Sequence, residues 1–351
     1  MKVKVISRNL QFKRVAKTSR KSFNERLVWY VVLQDDEKIG VGECAPIEGL
    51  SAESEKEVEI WLKKVSDDPI YYIKNLPYIK GMPSSVKFAL EVANLDLNSQ
   101  KNGVLFPSKF SDGKDSIKIN GLIWMGDLKY MQEQIQTKLE NGYKCIKLKI
   151  GALNFNDELN LIKEIRKNFN KDELIIRVDA NGGFSYKDAI VNLEKLAKLD
   201  VHSIEQPIPK DNWTHMRSLC DYSVLDIALD EELIGVNSLR EKEILLDSIK
   251  PKYLVLKPSL HGGLMGCDEW INLSKRRGIK WWITSYLESN LALNAISQWA
   301  YMKNPKIHQG LGTGGLFLNN ISSPLYLDSE NLHFDSSKAM DYKELFDADF
   351  S

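Results

Sequence analysis

No run in this chain of 351 residues approaches the roughly 18 consecutive apolar residues that a membrane-spanning helix needs. Neither sign of charge is in surplus: 48 Lys and Arg balance 48 Asp and Glu. That balance gives no basis for nucleic acid or an acidic membrane as partner, and leaves attraction for an anionic substrate to local charge placement. Cysteine is scarce, and Cys44, Cys145, Cys220 and Cys267 show no Cys-x-x-Cys spacing. The first six residues alternate like a strand where an export signal needs a long apolar stretch. Reduced thiols and a cytoplasmic location are therefore expected. What remains, 43% hydrophobic and 27% charged residues, is ordinary for a soluble globular chain longer than one typical domain.

Residues 1–115 read as an α+β segment. Val3–Ile6, Leu27–Leu33 and Gly40–Ala45 look like strands, and helical patterns follow over Ser54–Val65 and Pro83–Leu97. From Ser116 the rhythm changes to strand, loop, helix. Candidate strands are Ile117–Asn120, Cys145–Ile150, Leu174–Asp179, Ser203–Glu205, Asp226–Asp230, Tyr253–Lys257 and Trp281–Ser285, with a short eighth near Lys306–Gln309. Between them lie amphipathic stretches such as Leu128–Leu139, Asp157–Asn168 and Lys187–Leu199. This alternation predicts βα units closing a parallel barrel over 116–325, with 326–351 returning to the first domain.

In a parallel barrel the chemistry sits where strands end. Lys147 and Lys149 share one face of their strand because side chains alternate with period two. Asp179, Glu205 and Asp230 end the next three strands, and Lys257 ends the one after. Three carboxylates at one barrel mouth repel each other unless a cation joins them. An oxygen-only set favours Mg²⁺, or Mn²⁺, over Zn²⁺. Read singly, any one acid is a cap or a surface loop residue, and any one lysine a solvated charge. Together, Lys147 and Lys149 are expected to depress each other's pKa, and the metal to depress it further, giving a neutral amine base at Lys149 facing Lys257 across the mouth. A metal beside a lysine base suits abstraction of a proton α to a carboxylate, whose dianionic product needs a preorganised positive field.

Gly310-Leu311-Gly312-Thr313-Gly314-Gly315 satisfies GxGxxG, but Pro324 and the short remainder leave no βαβ unit for a dinucleotide. The glycines either hold a substrate anion on backbone N–H groups or make a tight turn. Lys13, Arg14, Lys17, Arg20, Lys21 and Arg26 crowd one hairpin connection. Most read as solvated charge, with Arg20 the exception assigned to a lid over the substrate. Gly42-Glu43-Cys44-Ala45-Pro46 is a second candidate capping loop.

The set Lys-x-Lys, Asp-Ala-Asn-Gly, Glu-Gln-Pro, Leu-Asp-Glu and Leu-Lys-Pro, in this order over about residues 116–320, resembles the muconate-lactonising group of the enolase superfamily. The resemblance implies an α/β fold, a modified TIM barrel (β/α)₇β with an N-terminal α+β capping domain. It implies Asp179, Glu205 and Asp230 as metal ligands, Lys149 and Lys257 as the acid/base pair, and a small-molecule carboxylate as substrate. Asn120–Trp124, Leu287–Asn290 and Gly312–Leu316 most resemble the group's dehydrating members, which places Ser289, Gly312, Thr313 and Gly314 at the substrate. The reaction so implied is syn elimination of water from a succinyl-hydroxy-cyclohexadiene carboxylate in menaquinone synthesis. Acid-sugar dehydratases of the superfamily use a late histidine base, and Trp281–Glu288 contains none. Dipeptide epimerases hold a substrate ammonium on a late Asp-x-Asp, and no aspartate occurs between Asp268 and Asp328. The alternative is an N-acylamino acid racemase or a dipeptide epimerase; no oligomeric state follows from the sequence.

Overall fold

A computed structural model describes residues 1–17, 22–151, 154–222 and 224–346. The chain opens with an antiparallel sheet of β1 (Lys2–Lys17), β2 (Ser22–Asp35) and β3 (Lys38–Cys44), in that order. The helices α1 (Glu55–Asp67) and α3 (Ser84–Leu97) pack on it, and α2 (Pro69–Asn75) packs against both helices. Ser54 starts α1 through a capping box with Glu57, two reciprocal bonds that satisfy amides the helix leaves open. α3 lies so close to β3 that a Cβ at Gly42 would fall on the Ala89 carbonyl, and one at Gly40 on Ala93 and Leu97 backbone. Only glycine permits that approach.

The second part is a parallel sheet of seven strands in the order β11-β10-β9-β8-β7-β6-β5. Its strands are β5 (Gly121–Ile123), β6 (Cys145–Lys149), β7 (Ile175–Asp179), β8 (Ser203–Glu205), β9 (Asp226–Leu229), β10 (Tyr253–Leu256) and β11 (Lys280–Ile283). Helices α4 (Leu128–Glu140), α5 (Phe155–Asn168), α6 (Tyr186–Ala197), α7 (Trp213–Tyr222), α8 (Leu239–Ile249), α9 (Gly263–Arg277) and α10 (Asn290–Met302) alternate with them. The barrel core is a contiguous layer of branched residues, among them Ile146, Leu148, Ile176, Val178, Ile204 and Leu254, all essentially without solvent exposure. Closure runs through single parallel bridges, Thr284 to Gly310 and Gln309 to Ile119. The expected eighth strand is thus reduced to Gln309–Gly310.

The first barrel strand differs from expectation. Only the end of Ile117–Asn120 takes part in the barrel, through the bridge of Ile119 to Gln309; the strand in the sheet is Gly121–Ile123, which pairs with Ile146–Leu148. Upstream, β4 (Ser116–Lys118) pairs antiparallel with β13 (Asn331–Phe334), itself paired with β12 (Leu325–Asp328). One extended run therefore changes partner twice, from β13 to Gln309 to β6. Alternation encodes extension but not the partner. Beyond β13, the Tyr342 hydroxyl donates to Asp96 of α3 at 2.6 Å, just before a last short helix, α11 (Lys343–Phe346).

Candidate metal and acid–base site

Parallel register sets the site. Lys149 pairs with Asp179 and Asp179 with Glu205, so one row crosses three adjacent strand ends. Asp230 and Lys257 follow directly on β9 and β10. The Lys147 Nζ lies 2.6 Å from Glu205 Oε2 and 3.0 Å from Asp179 Oδ2. The Lys149 Nζ lies 3.2 Å from Asp179 Oδ2 and donates to Asn181 Oδ1 at 2.8 Å. Lys257 Nζ donates to Asp230 Oδ2. Its ammonium also sits 5.7 Å from the Tyr286 ring centre, and the Arg26 guanidinium 5.2 Å from it.

The electrostatics follow from burial against pairing. Burial pushes the Asp179 carboxyl up, but the Lys147 and Lys149 ammoniums outweigh it and hold the group below the usual carboxylate range. Glu205 stands well above that range, from burial first and the neighbouring Asp179 charge second. Burial and then Asp230 push Glu231 up to about 7. The expectation that Lys147 is lowered is overturned here. Burial does work to lower Lys147 and Lys257. The carboxylates outweigh it, Asp179 and Glu205 for Lys147 and Asp230 and Glu205 for Lys257, and both lysines are raised. Four acids, Asp179, Glu205, Asp230 and Glu231, thus share this end of the barrel with three lysines.

The residues fit a hard cation. Among the described residues, Glu205 Oε1, Asp230 Oδ1 and Glu231 Oε2 are buried and meet no hydrogen-bond donor. Such unpaired carboxylate oxygens are costly, and a divalent ion with oxygen preference satisfies them. As placed, no trio of His, Cys, Asp or Glu among the described residues is drawn together as a ready metal cage. The reason is visible in the contacts above: each of the three acids turns an oxygen to an ammonium.

A cavity of about 380 Å³ opens beside these groups. Its lining joins the charged Lys147, Lys149, Asp179, Glu205, Glu231 and Lys257 with the apolar Ile47, Leu50, Trp124 and Leu316. Gly312 and Thr313 line it, with Thr313 Oγ1 2.7 Å from Ser285 Oγ. Gly314 does not; a Cβ there would meet Asn290 Oδ1 at 3.1 Å, and Gly315 borders the cavity instead. Ser289 does not line the cavity either. It is fully buried, its hydroxyl and N–H both donate to the Glu43 carboxylate, and it caps α10. Arg20 lies outside the described residues. Of the second capping candidate, Gly42–Cys44 belongs to β3, and the cavity is met by Ile47 and Leu50 just downstream. The glycine run builds no dinucleotide fold; Gly310 closes the barrel.

Asn181, Glu231 and Tyr286 are site residues to which the sequence analysis gave no role. Asn181 was findable, since it stands two residues beyond Asp179. Glu231 was not: a period-two count sends it away from Asp230, but a short 3₁₀ turn over Glu231–Leu233 brings it back.

Residues 130–319 match the family described as Enolase C-terminal domain-like, and residues 8–97 match MenC, N-terminal domain. The chain is 43% identical to the o-succinylbenzoate synthase of Desulfotalea psychrophila, over 91% of this chain and 95% of that one. The crystal structure of MenC from Desulfotalea psychrophila LSv54 superposes with a TM-score of 0.85 at 40% identity, covering 95% of this chain and 99% of the other. A dipeptide epimerase from Enterococcus faecalis V583, solved with Mg and the dipeptide L-Leu-L-Tyr, shares the fold at a TM-score of 0.79 and 17% identity, with 97% of each chain covered.

Proposed function

Because the chain belongs to the o-succinylbenzoate synthases of the enolase superfamily, we propose that it eliminates water from a succinyl-hydroxy-cyclohexadiene carboxylate to give o-succinylbenzoate. It is a lyase acting on a small carboxylate in menaquinone synthesis. The observation that carries this reading is the convergence of Lys149, Asp179, Glu205, Asp230 and Lys257 at one end of the barrel, with buried carboxylate oxygens left without donors. Enolase superfamily members are metal-dependent, typically on Mg²⁺.

Asp179, Glu205 and Asp230 are the residues that hold the metal in this reading. When bound there, Mg²⁺ (or Mn²⁺) supplies positive charge at the substrate carboxylate and favours the neutral amine of Lys149. Lys149 takes the proton α to the carboxylate. The C–H pair becomes a ring π bond as the bond to the hydroxyl breaks. Because the elimination is syn, the same Lys149 can return its proton to the departing hydroxyl, which leaves as water. Lys257, over the Tyr286 ring, stays charged and stabilises the anion by its field. The apolar wall of Trp124, Ile47 and Leu50 covers the ring and excludes bulk water.

A direct assay tests this: purified protein with Mg²⁺ should form the aromatic product, and EDTA should stop it. No turnover with Mg²⁺ present would reject the reading. N-Acylamino acid racemisation is the second reading, favoured by Lys149 and Lys257 both lining the cavity. It predicts α-deuterium incorporation into N-succinyl amino acids. A dipeptide substrate is disfavoured by the absence of aspartate between Asp268 and Asp328. The four cysteines form no disulfide, which supports a reducing, cytoplasmic setting. Among the described residues no helix is long and apolar enough to cross a membrane.

A further inference from the structure

We propose that Asn181 and Glu231 are a positioning pair that aims the Lys149 amine into the cavity. The inference rests on the reading of Lys149 as the base. Asn181 stands in the left-handed region at φ 45°, a conformation asparagine tolerates better than most residues. From there its carboxamide reaches Lys149 on one side and Glu231 on the other. Its Nδ2 donates to Glu231 Oε1 at 3.0 Å, and its Oδ1 accepts from Lys149 Nζ at 2.8 Å.

The direction of this chain is determined by chemistry. A carboxamide has one acceptor oxygen and one donor nitrogen, a carboxylate only accepts, and an ammonium only donates. Turning the amide over would set donor against donor at Lys149 and acceptor against acceptor at Glu231. Glu231 therefore fixes the amide, and the amide fixes one N–H of the lysine. With that N–H held, and Asp179 holding a second contact at 3.2 Å, the remaining position on Nζ is the one left for substrate. A base free to rotate about its four-carbon stem would lose that aim, and misplacement of about 1 Å costs about 10²-fold in rate. A direct role for Glu231 on the metal is the competing explanation.

The test uses the full chain with Mg²⁺ and the variants Asn181→Ala, Glu231→Gln and their combination. Glu231→Gln is isosteric, but its own amide can donate as well as accept, so the direction of Asn181 is released. Each single variant should lower kcat about 10²-fold, leave KM and the Mg²⁺ Kd nearly unchanged, and raise the deuterium isotope effect on α-proton removal. The combination should be no slower than the slower single, because the two act in one chain. In the Mg²⁺-free protein, the Lys149 Nζ–H signal in ¹H–¹⁵N spectra should be exchange-protected in the parent and lost in both singles. Multiplying losses, an Mg²⁺ Kd that weakens in step with kcat, or an ammonium signal that survives would each overturn the pair. If the parent protein itself fails to dehydrate, the proposed function falls, while the ammonium signal still decides the positioning role.

Discussion

The link between cap and barrel at Glu91 makes a stability prediction with a definite sign. Glu91, on α3, is buried at 7% exposure, and its carboxylate accepts the N–H groups of Leu264 and Met265 in the first turn of α9. Gly263 stands at φ 81°, where a Cβ would collide with that carboxylate. Burial pushes Glu91 up to about 7 from an ordinary 4.5, against the opposing pull of the Leu264 N–H and of Lys87. A raised carboxyl pKa means the folded chain binds more protons than the unfolded one between those two values. The associated stability is fully present below pH 4.5 and is lost as pH rises to 7. A difference of about 2.5 units corresponds to about 3 kcal/mol, from 1.36 kcal/mol per unit. Glu91→Gln keeps one acceptor for the helix start but cannot ionise. Relative to the parent, the variant should therefore gain about 3 kcal/mol between pH 4.5 and pH 8. Urea unfolding of both proteins across that range measures the difference, with other titrating groups cancelling. Parallel pH curves for parent and variant would refute the burial argument.

Three further outcomes follow from the same geometry. Lys257→Arg should retain dehydration within about 10-fold of the parent if only its charge is used, whereas Lys149→Ala should lose about 10²–10⁴-fold; equal losses in steady-state assays would contradict this division. Asp230→Asn and Glu205→Ala should each abolish Mg²⁺ binding measured by calorimetry, and unchanged heats would remove both from the ligand set. Gly42→Ala places a methyl on the Ala89 carbonyl and should destabilise the cap by about 1–3 kcal/mol in urea unfolding, while a neutral effect would mean α3 is free to move off β3.

The sequence made legible those features that depend on period and position along one strand. Lys147, Lys149, Asp179 and Glu205 are findable because parallel strands put their chemistry at one end and side chains alternate. The direction for Lys147 was misjudged because the balance depends on how many acids converge. Glu231 adds one from a turn that no strand count reaches. Partner exchange along Ser116–Ile123 was equally hidden, since an extended run does not say what it pairs with.

The misassigned substrate residue, Ser289, points to a wider regularity. A polar residue at a strand end looks available for ligand, yet Ser289 is claimed by Glu43, 246 residues earlier in the chain. Arg26 does the same in reverse, donating from the cap to the Tyr286 carbonyl of the late barrel while stacking on its ring. Glu91 of α3, accepting from the first turn of α9, is a third such contact. All three are buried charged side chains of the cap spent on backbone or hydroxyl groups of late barrel loops. Breaking these contacts would leave buried polar groups without partners, so they favour one register of the cap over the mouth. The cap's apolar contribution to the cavity, Ile47 and Leu50, stands within a few residues of Glu43 and Ala45, which makes the latch also the support of the substrate wall. Loss of a latch residue should consequently change the fit of substrate before it changes the metal site.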